Sequence, residues 1–310
     1  MIKRLFIAVV VLAGAGAGIF WWLTAPVRAV PVDANAAIEK TGDATRGQVV
    51  FNAGGCASCH ATPKQEDRLR LGGGLELKSP FGTFVAPNIS PHPRDGIGSW
   101  KVADLANAML RGVSPEGAHY YPSFPYTTYA HARIEDVADL MAYLRTLPQV
   151  EGKAPPHDIG FPFNIRRGLG LWKQLFLDTT PVAMDATKSQ EWNRGRYLVD
   201  ALGHCAECHS PRNPIGGIVA EDRFAGGADL EGRGWVPNIT PSPKGIGSWT
   251  KADISELLAT GFTPEYDSVG SSMADVVKNT AALPKSDRDA MAEYLKSLPP
   301  RDGPVRPTKK

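Results

Sequence analysis

The sequence predicts an all-α chain of two small tandem domains with long Gly/Pro-rich loops, set behind one apolar N-terminal helix. Three observations lead there. The body of the chain is one unit written twice. There are 32 Gly and 26 Pro in 310 residues, well above the roughly 12% usual for the pair. Strand-like alternation is weak, whereas apolar residues recur at helical spacing. At roughly 100–200 residues per domain, the length suits two domains.

The N-terminal helix comes first. Lys3 and Arg4 precede a charge-free run from Leu5 to Leu23 that closes on Trp21-Trp22. A signal-peptide core usually spans about 7–15 residues and a membrane helix about 17–25. Val27-Arg28-Ala29 is an acceptable small-residue cleavage site, so residues 1–29 read either as a retained membrane anchor or as a cleaved signal peptide. Both readings keep Lys3 and Arg4 inside and export the rest. The formal charge of +2 becomes −1 without residues 1–29, and this excludes a strongly basic nucleic-acid binder.

The repeat follows. Gly55-Cys56-Ala57-Ser58-Cys59-His60 matches His204-Cys205-Ala206-Glu207-Cys208-His209, with Arg46-Gly47 and Arg194-Gly195 upstream. Pro87-Asn88-Ile89-Ser90-Pro91 matches Pro237-Asn238-Ile239-Thr240-Pro241, and Gly96-Ile97-Gly98-Ser99-Trp100 matches Gly245-Ile246-Gly247-Ser248-Trp249. Cys56 to Trp100 and Cys205 to Trp249 are both 44 residues. Each copy predicts a first helix at 46–54 or 194–202. A second, capped by Ser99 or Ser248, ends near Gly112 or Gly261. A last helix at 134–147 or 286–298 is stopped by Pro148 or Pro299. The domains are thus 43–148 and 190–299, with a connector at 149–189. There Ile165, Leu169, Trp172 and Phe176 form one apolar helical face suited to packing across both domains, to a partner subunit or to the membrane surface.

All four cysteines lie in the two Cys-x-x-Cys-His motifs, the attachment signature of c-type haem. Two intervening residues let both sulfurs reach the two vinyl-derived carbons on one porphyrin edge, and the adjacent histidine is directed to the iron. A redox disulfide does not require the histidine, and a four-cysteine zinc site would have to join pairs 149 residues apart. The motifs therefore predict two covalently bound haem c groups, through Cys56 and Cys59 with His60, and Cys205 and Cys208 with His209.

With these motifs, the Pro-Asn-Ile and Gly-Ile-Gly-Ser-Trp segments and Phe161-Pro162-Phe163-Asn164, the chain resembles the exported multihaem cytochrome c subunits of bacterial membrane-bound alcohol, aldehyde and sugar dehydrogenases. Those subunits usually carry three such domains, and this chain has two. The resemblance implies tandem class I cytochrome c-like domains. It also implies that the Pro87 and Pro237 carbonyls accept the imidazole N–H groups, and that Trp100 and Trp249 shield a haem edge or bond a propionate. A turn proline and an ordinary core tryptophan are the plainer alternatives.

The sixth ligands differ between copies. Met273, twelve residues after Gly261, falls where the family's ligand loop does and is assigned to the second iron. Met109, Met141 and Met291 read as core, and Met184 lies in the connector. The matching first-copy position is Phe124, within Tyr121-Pro122-Ser123-Phe124-Pro125-Tyr126, where the family has methionine. The first iron is therefore either open or bound by another group, and among the side chains flanking Phe124, His119 is the leading candidate ahead of His131. His92, His157 and His204 read as exposed.

No other catalytic motif stands out. The expected function is electron transfer on the periplasmic side of the bacterial inner membrane, anchored or soluble after cleavage. The donor is a dehydrogenase catalytic subunit and the acceptor a cytochrome, quinone or oxidase of the respiratory chain. The alternative is a dihaem enzyme, peroxidase-like or sulfur-oxidising, with the first haem as the reactive site.

Overall fold

Twelve α-helices and five short strands are present among the residues described by this computed structural model, 1–31, 38–232 and 234–306. Helix α1 (Ile2–Leu23) is apolar, unburied and long enough to cross a membrane. The first unit contains α2 (Ala44–Ala53), α3 (Cys56–His60), α4 (Val102–Arg111), α5 (Tyr126–Tyr129) and α6 (Ile134–Leu144). The connector carries α7 (Leu169–Phe176). The second unit repeats the order with α8 (Gln190–Tyr197, continued by a wider turn over Leu198–Leu202), α9 (Cys205–His209), α10 (Lys251–Thr260), α11 (Ser272–Thr280) and α12 (Lys285–Lys296).

Local signals set the helix ends. The Asp43 carboxylate accepts the Arg46 N–H and opens α2; the Ser189 hydroxyl accepts the Trp192 N–H and opens α8. Gly112 (φ 58°) and Gly261 (φ 80°) end α4 and α10 in left-handed backbone. The expected caps Ser99 and Ser248 are displaced by Lys101 and Thr250. The reason is a tight turn in which Trp100 and Trp249 N–H groups donate to the Ile97 and Ile246 carbonyls, so that the helices start later. The connector helix is also shorter than its apolar spacing suggests, since a 3-10 turn (Arg166–Gly168) precedes it.

The strands exceed the expectation of weak strand structure but remain short. β1 (Glu76–Ser79) and β2 (Gly82–Val85) form an antiparallel hairpin with Glu76 opposite Val85. β3 (Asp158–Ile159) adds to β2, with Thr83 opposite Asp158. In the second unit β4 (Gly227–Ala228) pairs with β5 (Trp235–Val236).

In each unit the first helix crosses the last at a glycine. A Cβ on Gly47 would lie 1.9 Å from the Asp139 carbonyl oxygen, and one on Gly195 1.8 Å from that of Ala290. Beside each crossing an arginine grips an aspartate with two N–H groups: Arg46 on Asp139 and Arg194 on Asp287. Buried apolar side chains of both units, among them Phe51, Val137, Leu198 and Ala292, join in one continuous cluster. Met109, Met141 and Met291 are core residues, as the sequence suggested, and Met184 in the connector is exposed.

The chain leaving α1 is built into the first unit. Thr24 is fully buried, and a Cβ on Gly170 of α7 would meet its Cα at 2.6 Å. Arg167 donates to the Thr24 hydroxyl at 2.8 Å and covers the Trp21 ring at 4.0 Å. Asn107, buried in α4, accepts the N–H groups of Ala29 (2.7 Å) and Val30 (3.0 Å) and donates to the Val30 carbonyl. On the far side of α7, Trp172 donates to the Ile215 carbonyl at 2.9 Å, and the Phe176 ring packs at Gly217. The connector therefore touches both units.

Candidate haem-binding site

Each Cys-x-x-Cys-His segment is a single helical turn, so its cysteines, three residues apart, lie on one face and its histidine closes the turn. The turns open in left-handed backbone at Gly55 (φ 63°) and His204 (φ 40°). Nδ1 of His60 donates to the Pro87 carbonyl at 2.8 Å, and Nδ1 of His209 to the Pro237 carbonyl at 2.8 Å. Each of these hydrogen bonds fixes the tautomer that leaves the Nε2 lone pair for a metal. Burial lowers the pKa of both histidines and keeps the imidazoles neutral.

The proline carbonyls are themselves held. Asn88 accepts the Ser90 N–H and donates to the Val150 and Gly152 carbonyls. Asn238 accepts the Thr240 N–H and donates to the Arg301 carbonyl. The repeated Asn thus ties the proline loop to the chain beyond the last helix of its own unit. The sequence showed the repeat but not this partner, which lies some sixty residues away.

No disulfide joins any of the four cysteines. Their surroundings push Cys56 and Cys205 up to about 12 and Cys59 up to about 11, mainly by burial. Cys208 is raised for the same reason. Cys208 is the exposed one of the four, and the raised values disfavour the thiolate on which a redox dithiol depends. Paired neutral thiols on one turn, next to an imidazole presenting Nε2, fit a covalently attached haem.

The two units differ on the opposite side. Met273, expected in a loop, lies in the first turn of α11, half-buried against the core. Phe124 stands before α5 among Tyr120, Tyr126 and Tyr129, with ring centroids 5.9, 6.4 and 5.8 Å away. Both ring nitrogens of His119, the side chain expected to ligate the first iron, have protein partners. Nε2 donates to the Thr24 carbonyl at 2.9 Å, and Nδ1 accepts from Lys173 at 3.0 Å. His131 places Nδ1 2.6 Å from the Thr180 carbonyl of the connector. His92, expected on the surface, is 7% exposed. His157 is half-buried and accepts the Val85 N–H, and His204 lies at the seam between the units.

That seam brings the two motifs together. Glu207, inside the second motif, accepts from the Thr127 and Thr128 hydroxyls of α5 and pairs with Arg212 at 2.5 Å. Burial opposes its charge, but Arg212 and the two hydroxyls outweigh this and hold the carboxyl below its ordinary range. Asn279 of α11 donates to Ser58, inside the first motif, at 2.6 Å. Tyr197 donates to Asp136 and accepts the Arg133 N–H. Lys173, Asn107, Glu207 and Asn279 were not singled out in the sequence. Only Asn107 carried a local signal, a polar residue between alanines on the buried face of α4.

A family model described as cytochrome c matches residues 44–148, which is the first unit. A diheme cytochrome c-type protein of Cereibacter sphaeroides is 53% identical over 94% of this chain and 96% of its own length. The chain belongs to the cytochrome c family. This cytochrome carries two covalently bound haem c groups. It is also 37% identical, over 88% of its length, to the fructose dehydrogenase cytochrome subunit of Gluconobacter japonicus. With the cytochrome c subunit of the quinone alcohol dehydrogenase of Gluconobacter oxydans it shares 34% identity over 90% of its length. The cytochrome spans 56% and 60% of those two subunits.

Proposed function

We propose that the chain is a membrane-anchored dihaem electron carrier. It takes electrons from a dehydrogenase catalytic subunit on the periplasmic side of the bacterial inner membrane. It passes them to a cytochrome, quinone or oxidase of the respiratory chain. Residues 43–148 and 190–299 are two tandem class I cytochrome c-like domains joined by the connector 149–189. The observation that carries the reading is the matched pair of Cys-x-x-Cys-His turns, each with its histidine Nδ1 2.8 Å from a proline carbonyl.

In this reading Cys56, Cys59, Cys205 and Cys208 hold the haems by thioether bonds. His60 and His209 bind the irons, and Met273 completes the second. The haems supply one-electron chemistry, and the protein shields them and tunes their potentials. The clamped segment 24–30 supports retention of α1 as an anchor, since cleavage after Ala29 would remove the Ala29 N–H that Asn107 accepts and the buried Thr24 with its contacts to His119, Arg167 and Gly170. The names of the dehydrogenase subunits to which the chain is similar support the choice of electron donor.

A pyridine haemochrome assay of protein made with cytochrome c maturation should count two haems per chain. One haem or none refutes the reading. Met273→Ala should abolish the weak far-red sulfur-to-iron band, and persistence of the band would remove Met273 as a ligand.

Phe124 favours a second reading, a dihaem enzyme that reacts at the first haem. With His119 engaged elsewhere, the first iron has no ligand from that residue. Carbon monoxide should then shift the reduced spectrum of the first haem. A spectrum indifferent to carbon monoxide leaves the carrier reading alone.

A further inference from the structure

The residue before the first cysteine is left-handed in both units, but only one unit uses glycine there. Gly55 adopts φ 63° freely, whereas His204 at φ 40° carries a Cβ into a region that side chains disfavour. Strain of this kind persists where surrounding contacts demand it, and often at functional places.

The contacts here cross between the units. His204 Nε2 donates to the Gly54 carbonyl at 3.3 Å. The same carbonyl accepts the Tyr129 hydroxyl at 2.7 Å, and the Tyr129 ring meets the His204 ring edge-on, centroids 5.9 Å apart. A Cβ on Gly55 would lie 3.5 Å from His204 Nε2, ordinary contact distance, so the second unit's imidazole packs directly against the first unit's Gly55. His204 adjoins Cys205 in sequence, and Gly54 is two residues before Cys56. Asn279, bonded to Ser58, holds the other side of the same seam.

We propose that His204 is the electronic bridge between the two haems. The route runs from Cys205 through the His204 backbone and imidazole, across the hydrogen bond to the Gly54 carbonyl, and along Gly55 to Cys56. It rests on the reading of both motifs as haem attachment sites. The step moves one electron, oxidising one iron as it reduces the other. No bond forms or breaks, and the Nε2 proton of His204 stays in place.

The test uses the full holoprotein in detergent, with haem content, both midpoint potentials and the melting temperature measured first. A substoichiometric electron pulse then starts concentration-independent exchange between the haems. His204→Gly restores the residue that the first unit uses, so the turn is kept and only the imidazole is lost. Exchange should slow several-fold with potentials and melting unchanged. His204→Asn tolerates left-handed backbone and keeps a shorter N–H donor, and should fall between. An unchanged rate in His204→Gly overturns the proposal. Equal slowing in Asn279→Ala also overturns it, because spacing and not the imidazole would then set the rate. Loss of one haem from the wild-type protein would refute the reading of the motifs instead, and shows in the haem count before any rate is taken.

Discussion

Lys173 is a buried ammonium whose three N–H groups go to the Arg111 carbonyl, the Gly112 carbonyl and His119 Nδ1. It also lies 4.7 Å over the Tyr126 ring. It therefore caps the C-terminus of α4 and pins the connector to the first unit. Burial pulls it from the ordinary 10.5 down to about 7. Between those values the unfolded chain binds the proton that the folded chain has lost, so this residue makes stability rise with pH across that window. Below it both states are protonated and the contribution is flat. Melting temperatures followed from neutral pH to pH 10 should show this rise in the wild type and a flatter profile in Lys173→Met. An equal slope in the two proteins would mean that Lys173 is not the titrating group.

At the scale of elements, the crossings of α2 on α6 and of α8 on α12 leave no room for a methyl group. Gly47→Ala forces the Asp139 backbone to move and should cost about 1–3 kcal/mol, as overpacking does. Gly160→Ala, with nothing within 4 Å of its Cβ, is the matched control and should melt with the wild type. Thermal unfolding of the two variants gives the comparison. The helices were legible in the sequence because their signals are local: a cap, an apolar residue every third or fourth position, a glycine at the end. The haem motifs were legible because all their chemistry lies within five residues. The role of His119 was not, since its partners Thr24 and Lys173 lie 95 and 54 residues away. His204 looked like a surface residue for the same reason, its acceptor being 150 residues upstream. The displaced helix caps came from a turn that the serines alone do not reveal.

Across the whole molecule, the seam between the units is polar at its edges and depends on charge at Glu207. A carboxyl held below its ordinary range contributes stability that is complete above the usual glutamate pKa and is lost as pH falls through the lowered value. Acid should therefore loosen this edge of the seam while the shared apolar cluster still joins the units, seen as a small increase in radius of gyration by small-angle scattering. Glu207→Gln should show a weaker acid response at this seam and a looser seam at neutral pH. A wild-type radius that stays constant into strong acid would show that Glu207 does not hold the units together.

The burial of Thr24 has a mechanical consequence. The last turn of α1 is gripped by Arg167, and the chain just beyond it by His119, Gly170 and Asn107, so no slack tether leads from the helix to the first unit. If α1 stands in the bilayer, the haem-bearing body cannot swing out to search for a partner. Its height and tilt above the lipid are fixed, and an encounter becomes a problem of lateral diffusion in two dimensions.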